Sequence, residues 1–307
     1  MNGVINIFKP KGVTSHDVVK ELRKHLRIKK VGHTGTLDPN ASGVLPICVG
    51  KGTRISEYLL NVSKEYIAEL TLGVATDTQD IEGRVINYSD KKVTPQEIHR
   101  AFDNFKGLIE QTPPMYSAIK YKGKKLYELA RKGETIERLP RKVYIYDLQI
   151  KSINENKILF YVKCSKGTYI RTLCDDIGKF LGTFGYMSYL IRIGVGQFKI
   201  EDSLSIDYIK KANREELESF IYPIDKCLCH LKSFIVDDRY YNKLINGSLI
   251  PISNQKDLNN LLNLPLKIYC KDSFIGVGFL TKKNMTINLK MDKVFIQGDN
   301  NGDNRFK

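Results

Sequence analysis

The chain has 307 residues, 42% of them apolar, with six cysteines. Such a length suits about two domains with a sizeable core, and so few cysteines exclude a dense disulfide framework. With 49 Lys and Arg against 34 Asp and Glu, the net charge of +15 points to a polyanionic partner, nucleic acid before an acidic membrane surface. No apolar run approaches the roughly 20 residues that span a bilayer, and MNGVINIFKPKG lacks a leader pattern. The expected compartment is the cytoplasm.

VINIF reads as a strand and KPKG as a turn. A helix follows, with Ser15 as N-cap and Val18, Val19, Leu22 and Leu26 on one face. Lys20, Arg23, Lys24 and Arg27 occupy the other face, with Lys29 and Lys30 just beyond. This basic amphipathic helix leads into VGHTGTLDPNASGVLP, Val31 to Pro46. Gly32, Gly35 and Gly43 supply backbone freedom there. Pro39 biases Asp38 towards an extended conformation. An acid on a stiff loop is a candidate for covalent or acid–base chemistry, although the same composition also describes an ordinary turn.

PICVG and ISEYLL read as buried. Residues 65–72 alternate, which puts Tyr66, Ala68, Leu70 and Leu72 on one face of a strand. Thr94-Pro95-Gln96-Glu97 is a capping box with proline at the first helical position, and predicts a helix to about Asn104. From Lys120 to Lys142 there are nine Lys or Arg and three Glu, interleaved with Tyr121 and Tyr127, with Tyr116 just before. Cations neutralise phosphates and rings stack on bases, so the mixture suits RNA. It also suits a solvated hairpin and helix.

KILFYVKCSKGTYIRTLCDDIGKFL, from Lys157, reads as strand, tight turn and helix, with Ile170, Leu173, Ile177 and Phe180 facing inward. Arg171 falls in the first turn, where the helix dipole disfavours a cation. That position hints at a carboxylate or phosphate partner. The core pattern stops near Tyr222-Pro223. Beyond it come a short helix ending at Asn246-Gly247 and several short strands, including KIYC and FIGVGFL. QGDNNGDNRFK reads as a disordered tail. Cys227, Cys229 and His230 lack the second ligand pair that a structural zinc site needs. There is no phosphate-loop, dinucleotide-binding or nucleophile-elbow motif.

Six segments stand in one order: FKPKGVTSHDVV, VGHTGTLDPNASGVLPICVG, KEYIAELTLGVATDTQDIEG, QTPPMYSAIKYKGKKLYELARKG, CSKGTYIRTLCDDIG and YLIRIGVGQF. Together they resemble the bacterial tRNA pseudouridine synthase B (TruB) family over about residues 4–225. The resemblance implies an α+β fold with a pseudouridine-synthase-like catalytic domain at 1–230, built on a central mixed, mainly antiparallel sheet. It implies a small, mostly β PUA-like RNA-binding domain at 231–296, with residues 297–307 as the tail. The implied activity is the isomerisation of uridine 55 in the tRNA T-loop to pseudouridine. No bond is hydrolysed in that reaction, so it calls for no metal or redox cofactor.

The resemblance makes Asp38 the nucleophile, attacking either C1′ of the ribose or C6 of the base. It places Arg171 beside Asp38, and Tyr66 stacked on a flipped uracil with its hydroxyl near the C5 proton. Tyr169 and Leu190 line the uridine pocket, and His33 fills the space that the base vacates. Lys9 and Pro10 support the loop. The basic insert at about 111–142, with Lys120, Lys122, Lys124, Lys125, Arg131 and Lys132, grips the T-arm, and the second domain reaches the acceptor side. A monomer is expected. A non-catalytic tRNA-binding or tRNA-folding protein, or a pseudouridine synthase acting on another RNA, are the alternatives.

Overall fold

Two burial patterns in the strands divide the main sheet. Gly3–Lys9 and Ser42–Val49 are buried on both faces. Ile5, Ile7, Leu45 and Ile47 pack under the helix Ser15–Leu26, while Val4, Val44 and Cys48 pack on the opposite side with Tyr58, Leu59 and Phe198. Lys157–Cys164, by contrast, strictly alternates, and Lys64–Leu72 does so over its first half. Their inward residues meet the helices Pro95–Asn104 and Ile170–Leu181, and the other face is left to solvent. The computed structural model describes residues 1–252, 258–283 and 286–295.

The sheet runs in the order Leu204–Ser205, Gly3–Lys9, Ser42–Val49, Gly185–Val195, Lys64–Leu72, Lys157–Cys164, Arg141–Asn154, Gly107–Gln111. Val31–His33 and Phe198–Lys199 pair off this path. Neighbours are antiparallel except Gly3–Lys9 with Leu204–Ser205 and Ser42–Val49 with Gly185–Val195. The second parallel junction joins the halves through only Ile191↔Ser42 and Arg192↔Gly43. Gly43 has φ +114°, and a Cβ there would overlap the Arg192 backbone, so glycine is what lets the halves meet. The Asp38 loop enters at this seam.

A second, five-stranded sheet runs in the order Lys232–Ile235, Pro265–Cys270, Ser273–Lys283, Thr286–Val294, Ile250–Ile252. It has its own core around Leu244, Ile268, Leu280 and Leu289. It also docks on the first sheet's side. Val277, Phe274 and Phe295 join the cluster containing Tyr58. The Tyr58 hydroxyl donates to Asp292 at 2.5 Å, and Lys293 pairs with Glu57 at 3.3 Å. The fold is therefore α+β, with a central mixed sheet and a strand-rich C-terminal part.

Several expectations need correction. Thr14, not Ser15, caps the first helix, in a reciprocal capping box with Asp17. Phe180 is 55% exposed, and Cys174 and Leu181 complete the inward face of Ile170–Leu181 instead. Phe180 packs edge-on against Phe105, beside the core rather than in it. Within ISEYLL only Ile55, Tyr58 and Leu59 are buried. The core does not stop at Tyr222-Pro223, since Ile224, Cys227 and Leu228 are buried beyond it. A strand, Lys232–Ile235, precedes the short helix Tyr241–Ile245, and two later strands are long, at 11 and 9 residues. The helix Pro95–Asn104 begins and ends where its cap and periodicity place it. The expected tail, residues 297–307, lies outside the described residues. No helix among the described residues is long and apolar enough to cross a membrane.

Candidate active site

Asp38 sits on a loop clamped from several sides. Leu37 and Ala41 on either side of it are core residues. Ser15 Oγ donates to the Leu37 carbonyl at 3.0 Å and accepts from the Leu37 N–H at 2.9 Å. The serine that looked like a helix cap is thus a clamp on the loop. The turn closes when Ala41 N–H donates to Asp38 O at 3.1 Å. Arg192, almost fully buried, donates to the carbonyls of Val44, Thr36 and Gly35 at 2.7, 3.4 and 3.4 Å.

Lys9 is 0% exposed, and its ammonium donates to the carbonyls of Pro10, Val13 and Pro39 at 2.9, 2.8 and 3.2 Å. Burial brings its pKa down to about 8, against the opposing attraction of Asp38. Lys9→Met keeps the aliphatic stem but takes this donor from the carbonyls of Pro10 and Val13, while Pro39 O retains the Gly12 N–H at 2.9 Å. The expected cost is about 3 kcal/mol of stability, measured as a lower urea midpoint at unchanged slope. An unchanged midpoint would remove Lys9 from the loop's support.

Arg171, second residue of its helix, points its guanidinium at the loop. Its Nε lies 3.1 Å from Asp38 Oδ2, and its Nη1 lies 3.5 Å from Asp80 Oδ2. Nη1 also donates to Thr78 O at 3.2 Å, and Nη2 to Tyr116 O at 2.8 Å. The arginine side chain is 7% exposed and that of Asp38 is 43% exposed. The cation is therefore fixed in the protein while the carboxylate stays open to an incoming group. The awkward dipole position of Arg171 is offset by two carboxylates and two carbonyls.

Tyr66 lies beside Arg192 in strand register, so both side chains share the face that carries Leu190 and Ala68. Tyr66, Leu190, Leu37 and Ala41 belong to one apolar cluster. Burial pushes the Tyr66 phenol up to about 12, with Arg192 acting in the opposite sense and Asp38 adding a smaller upward push. Tyr169 stands at the N-cap position of the arginine's helix without a side-chain capping bond, and Gln111 holds its backbone through both amide atoms, at 3.0 and 3.2 Å. Burial raises the Tyr169 phenol as well. His33 stands at the loop entrance, where its Nδ1 accepts from Gly35 N–H at 3.3 Å. Burial first, then Arg192 and His16, lower its pKa and favour the neutral ring. Asp38 is thus brought within electrostatic reach of Arg171, Tyr66 and Tyr169.

The basic insert is an excursion closed at its base by the pair Gln111↔Arg141. Inside it, Lys120–Tyr121 and Lys124–Lys125 form a small hairpin followed by the helix Leu126–Ala130, which buries Leu126 and Leu129. Lys120, Lys122, Lys124, Arg131 and Lys132 are exposed to solvent, whereas Lys125 is half-buried. Lys125 and Arg131 stand 5.4 and 5.5 Å from the Tyr127 ring. Through Tyr116 O the insert touches Arg171 directly.

Sequence reasoning missed Asp80 and Arg192. A lone arginine inside the apolar strand Gly185–Val195 was a readable sign of a buried, multiply bonded cation. Asp80 carried no such sign, because TDTQDIEG reads as a polar turn. Among the described residues no three His, Cys, Asp or Glu side chains are grouped so as to hold a metal ion.

Residues 23–170 match the model of the TruB family pseudouridylate synthase N-terminal domain. Residues 171–229 match that of the tRNA pseudouridylate synthase B C-terminal domain. The tRNA pseudouridine synthase B of Alkaliphilus oremlandii (strain OhILAs) is 47% identical over 285 residues, which cover 92% of this chain and 95% of the relative. That of Clostridioides difficile (strain 630) is 44% identical over 303 residues, which cover 96% of this chain and 100% of the relative. A chain in the solved "Crystal Structure of a Cbf5-Nop10-Gar1 Complex" is 29% identical, with a TM-score of 0.75 over 96% of this chain and 85% of that one. The two model matches abut between Ile170 and Arg171, so the Asp38–Arg171 pair joins one to the other. Matched in this way along most of its length, the chain belongs to the TruB family of pseudouridylate synthases.

Proposed function

We propose that this chain isomerises uridine 55 in the T-loop of tRNA to pseudouridine, with Asp38 as nucleophile. The carrying observation is the Asp38–Arg171 pair, a half-open carboxylate on a buried, fixed cation at 3.1 Å. The guanidinium favours the ionised carboxylate that the attack on C1′ or C6 requires. The N1–C1′ bond breaks, the base turns and C5 bonds to C1′; the bond to Asp38 breaks and returns the carboxylate, the C5 proton leaves and N1 takes up a proton, so that the product is an isomer of the substrate.

Tyr66 offers its ring to the flipped uracil, with Leu190 and Tyr169 as pocket walls. Because burial keeps Tyr66 a phenol, it orients the base or relays the C5 proton rather than standing as a phenolate. His33, held neutral, takes the space left in the T-loop and offsets part of the cost of flipping. Lys9 and Pro10 hold the loop. Residues 1–230 form the catalytic domain and 231–296 a PUA-like domain that reaches the acceptor side. The enzyme works as a cytoplasmic monomer.

The test is tritium release from tRNA labelled at uridine C5, together with mapping of pseudouridine in cells lacking the protein. Release to water and loss of modification at position 55 alone are expected. Tight tRNA binding without release would favour a non-catalytic RNA-folding role, and loss at another RNA would reassign the substrate.

The insert makes a separate prediction. Changing Lys120, Lys122, Lys124 and Lys132 to Gln should weaken tRNA binding and flatten its salt dependence. The slope should fall by about 0.7–0.9 for each phosphate that is no longer neutralised. An unchanged slope would make the insert an ordinary solvated face.

A further inference from the structure

The loop that brings Asp80 to Arg171 is itself built around one side chain, Gln79. It has φ +62°, a left-handed conformation that a non-glycine residue keeps only where its surroundings enforce it. Here they do. Gln79 Nε2 donates to Asp175 Oδ2 at 2.7 Å, and Thr172 Oγ1 donates to Gln79 Oε1 at 2.9 Å. Its backbone N–H donates to Thr76 O, and its carbonyl accepts from Met187 N–H, both at 3.1 Å. Asp175 is buried and shares the same carboxylate oxygen with Lys179 at 2.6 Å.

Thr172 and Asp175 lie on the arginine's own helix, one residue and one turn beyond Arg171. The residues flanking Gln79 are the two that bind Arg171, through Thr78 O and Asp80 Oδ2. Three consecutive loop residues therefore grip three positions of one helix. We propose that Gln79, locked by Thr172 and Asp175, is a positioning residue. It sets the register of the loop on the helix, and so aims Arg171 at Asp38 through Asp80. This rests on Asp38 as the nucleophile and Arg171 as its partner.

Asparagine enters the left-handed region more readily than glutamine but is one methylene too short for Asp175 and Thr172. Gln79→Asn thus spares the backbone and removes the lock. Its single-turnover rate on C5-tritiated tRNA should fall on the order of 10- to 100-fold. Its tRNA Kd should stay within about twofold, and its thermal midpoint within about 2 °C. Asp175→Asn still presents an acceptor to Gln79 and should keep the rate within about threefold, whereas Asp175→Leu should reproduce the Gln79→Asn loss. Added to Asp80→Asn, Gln79→Asn should lower the rate no further, because both act through one interaction. A full rate in Gln79→Asn, or losses that multiply in the double variant, would overturn the proposal. Asp38→Ala run alongside separates the two levels. If it is active, the nucleophile assignment fails. If it is inactive beside a full-rate Gln79→Asn, only the positioning role fails.

Discussion

Asp38→Ala is expected to abolish tritium release, by at least about 10⁴-fold, as when a covalent nucleophile is deleted. The protein should stay folded. Asp38 is 43% exposed, and Arg171 retains Asp80, Thr78 O and Tyr116 O when it is gone. No buried charge is orphaned, so the stability cost should be about 1 kcal/mol or less. Binding of tRNA should persist, because the insert and the rest of the basic surface are untouched. Asp38→Asn, with the same shape and no charge, should be equally inactive. Single-turnover release and filter binding on the same samples separate the two effects. Turnover within a few fold of the parent enzyme would sink the nucleophile assignment.

Arg171→Lys carries the second large effect. Three guanidinium nitrogens serve Asp38, Asp80 and two carbonyls, and one ammonium cannot span that fan. Lysine preserves the charge but loses the Nε approach that fixes Asp38. Turnover should fall on the order of a hundred- to a thousandfold, with tRNA affinity within about threefold. Because Arg171 is buried, the unmet carbonyls should also cost about 2 kcal/mol of stability, measured as a lower denaturation midpoint. Normal turnover in a folded Arg171→Lys would mean that the ion pair is structural only.

Local rules reached some elements in full. Thr94 to Glu97 carried the cap, the proline and the start of a helix in four residues, and the helix lies there. The alternation at Tyr66, Ala68, Leu70 and Leu72 named the buried face of its strand. Those rules failed where a partner far along the chain decided the outcome. Ser15 looked like a cap because it stands at a helix start, yet its hydroxyl is taken by Leu37 and the cap passes to Thr14. Phe180 fits the helical period, but the inward stripe turns towards Leu181.

Asp38 shows where the division falls. Composition and spacing are local, and they sufficed to put an acid on a stiff turn, a basic insert downstream and a cation in an unfavourable first helical turn. The resemblance of six ordered motifs then joined these into one site. The chain alone could not reveal the fan of partners around Arg171, the hidden ammonium of Lys9, or the lock on Gln79. Those depend on the two-pair parallel seam between Ser42–Val49 and Gly185–Val195, and on the helix laid beside it. Buried polar groups must find partners wherever packing leaves them. Which atoms meet is therefore decided by the register of strands and helices that are distant in the chain.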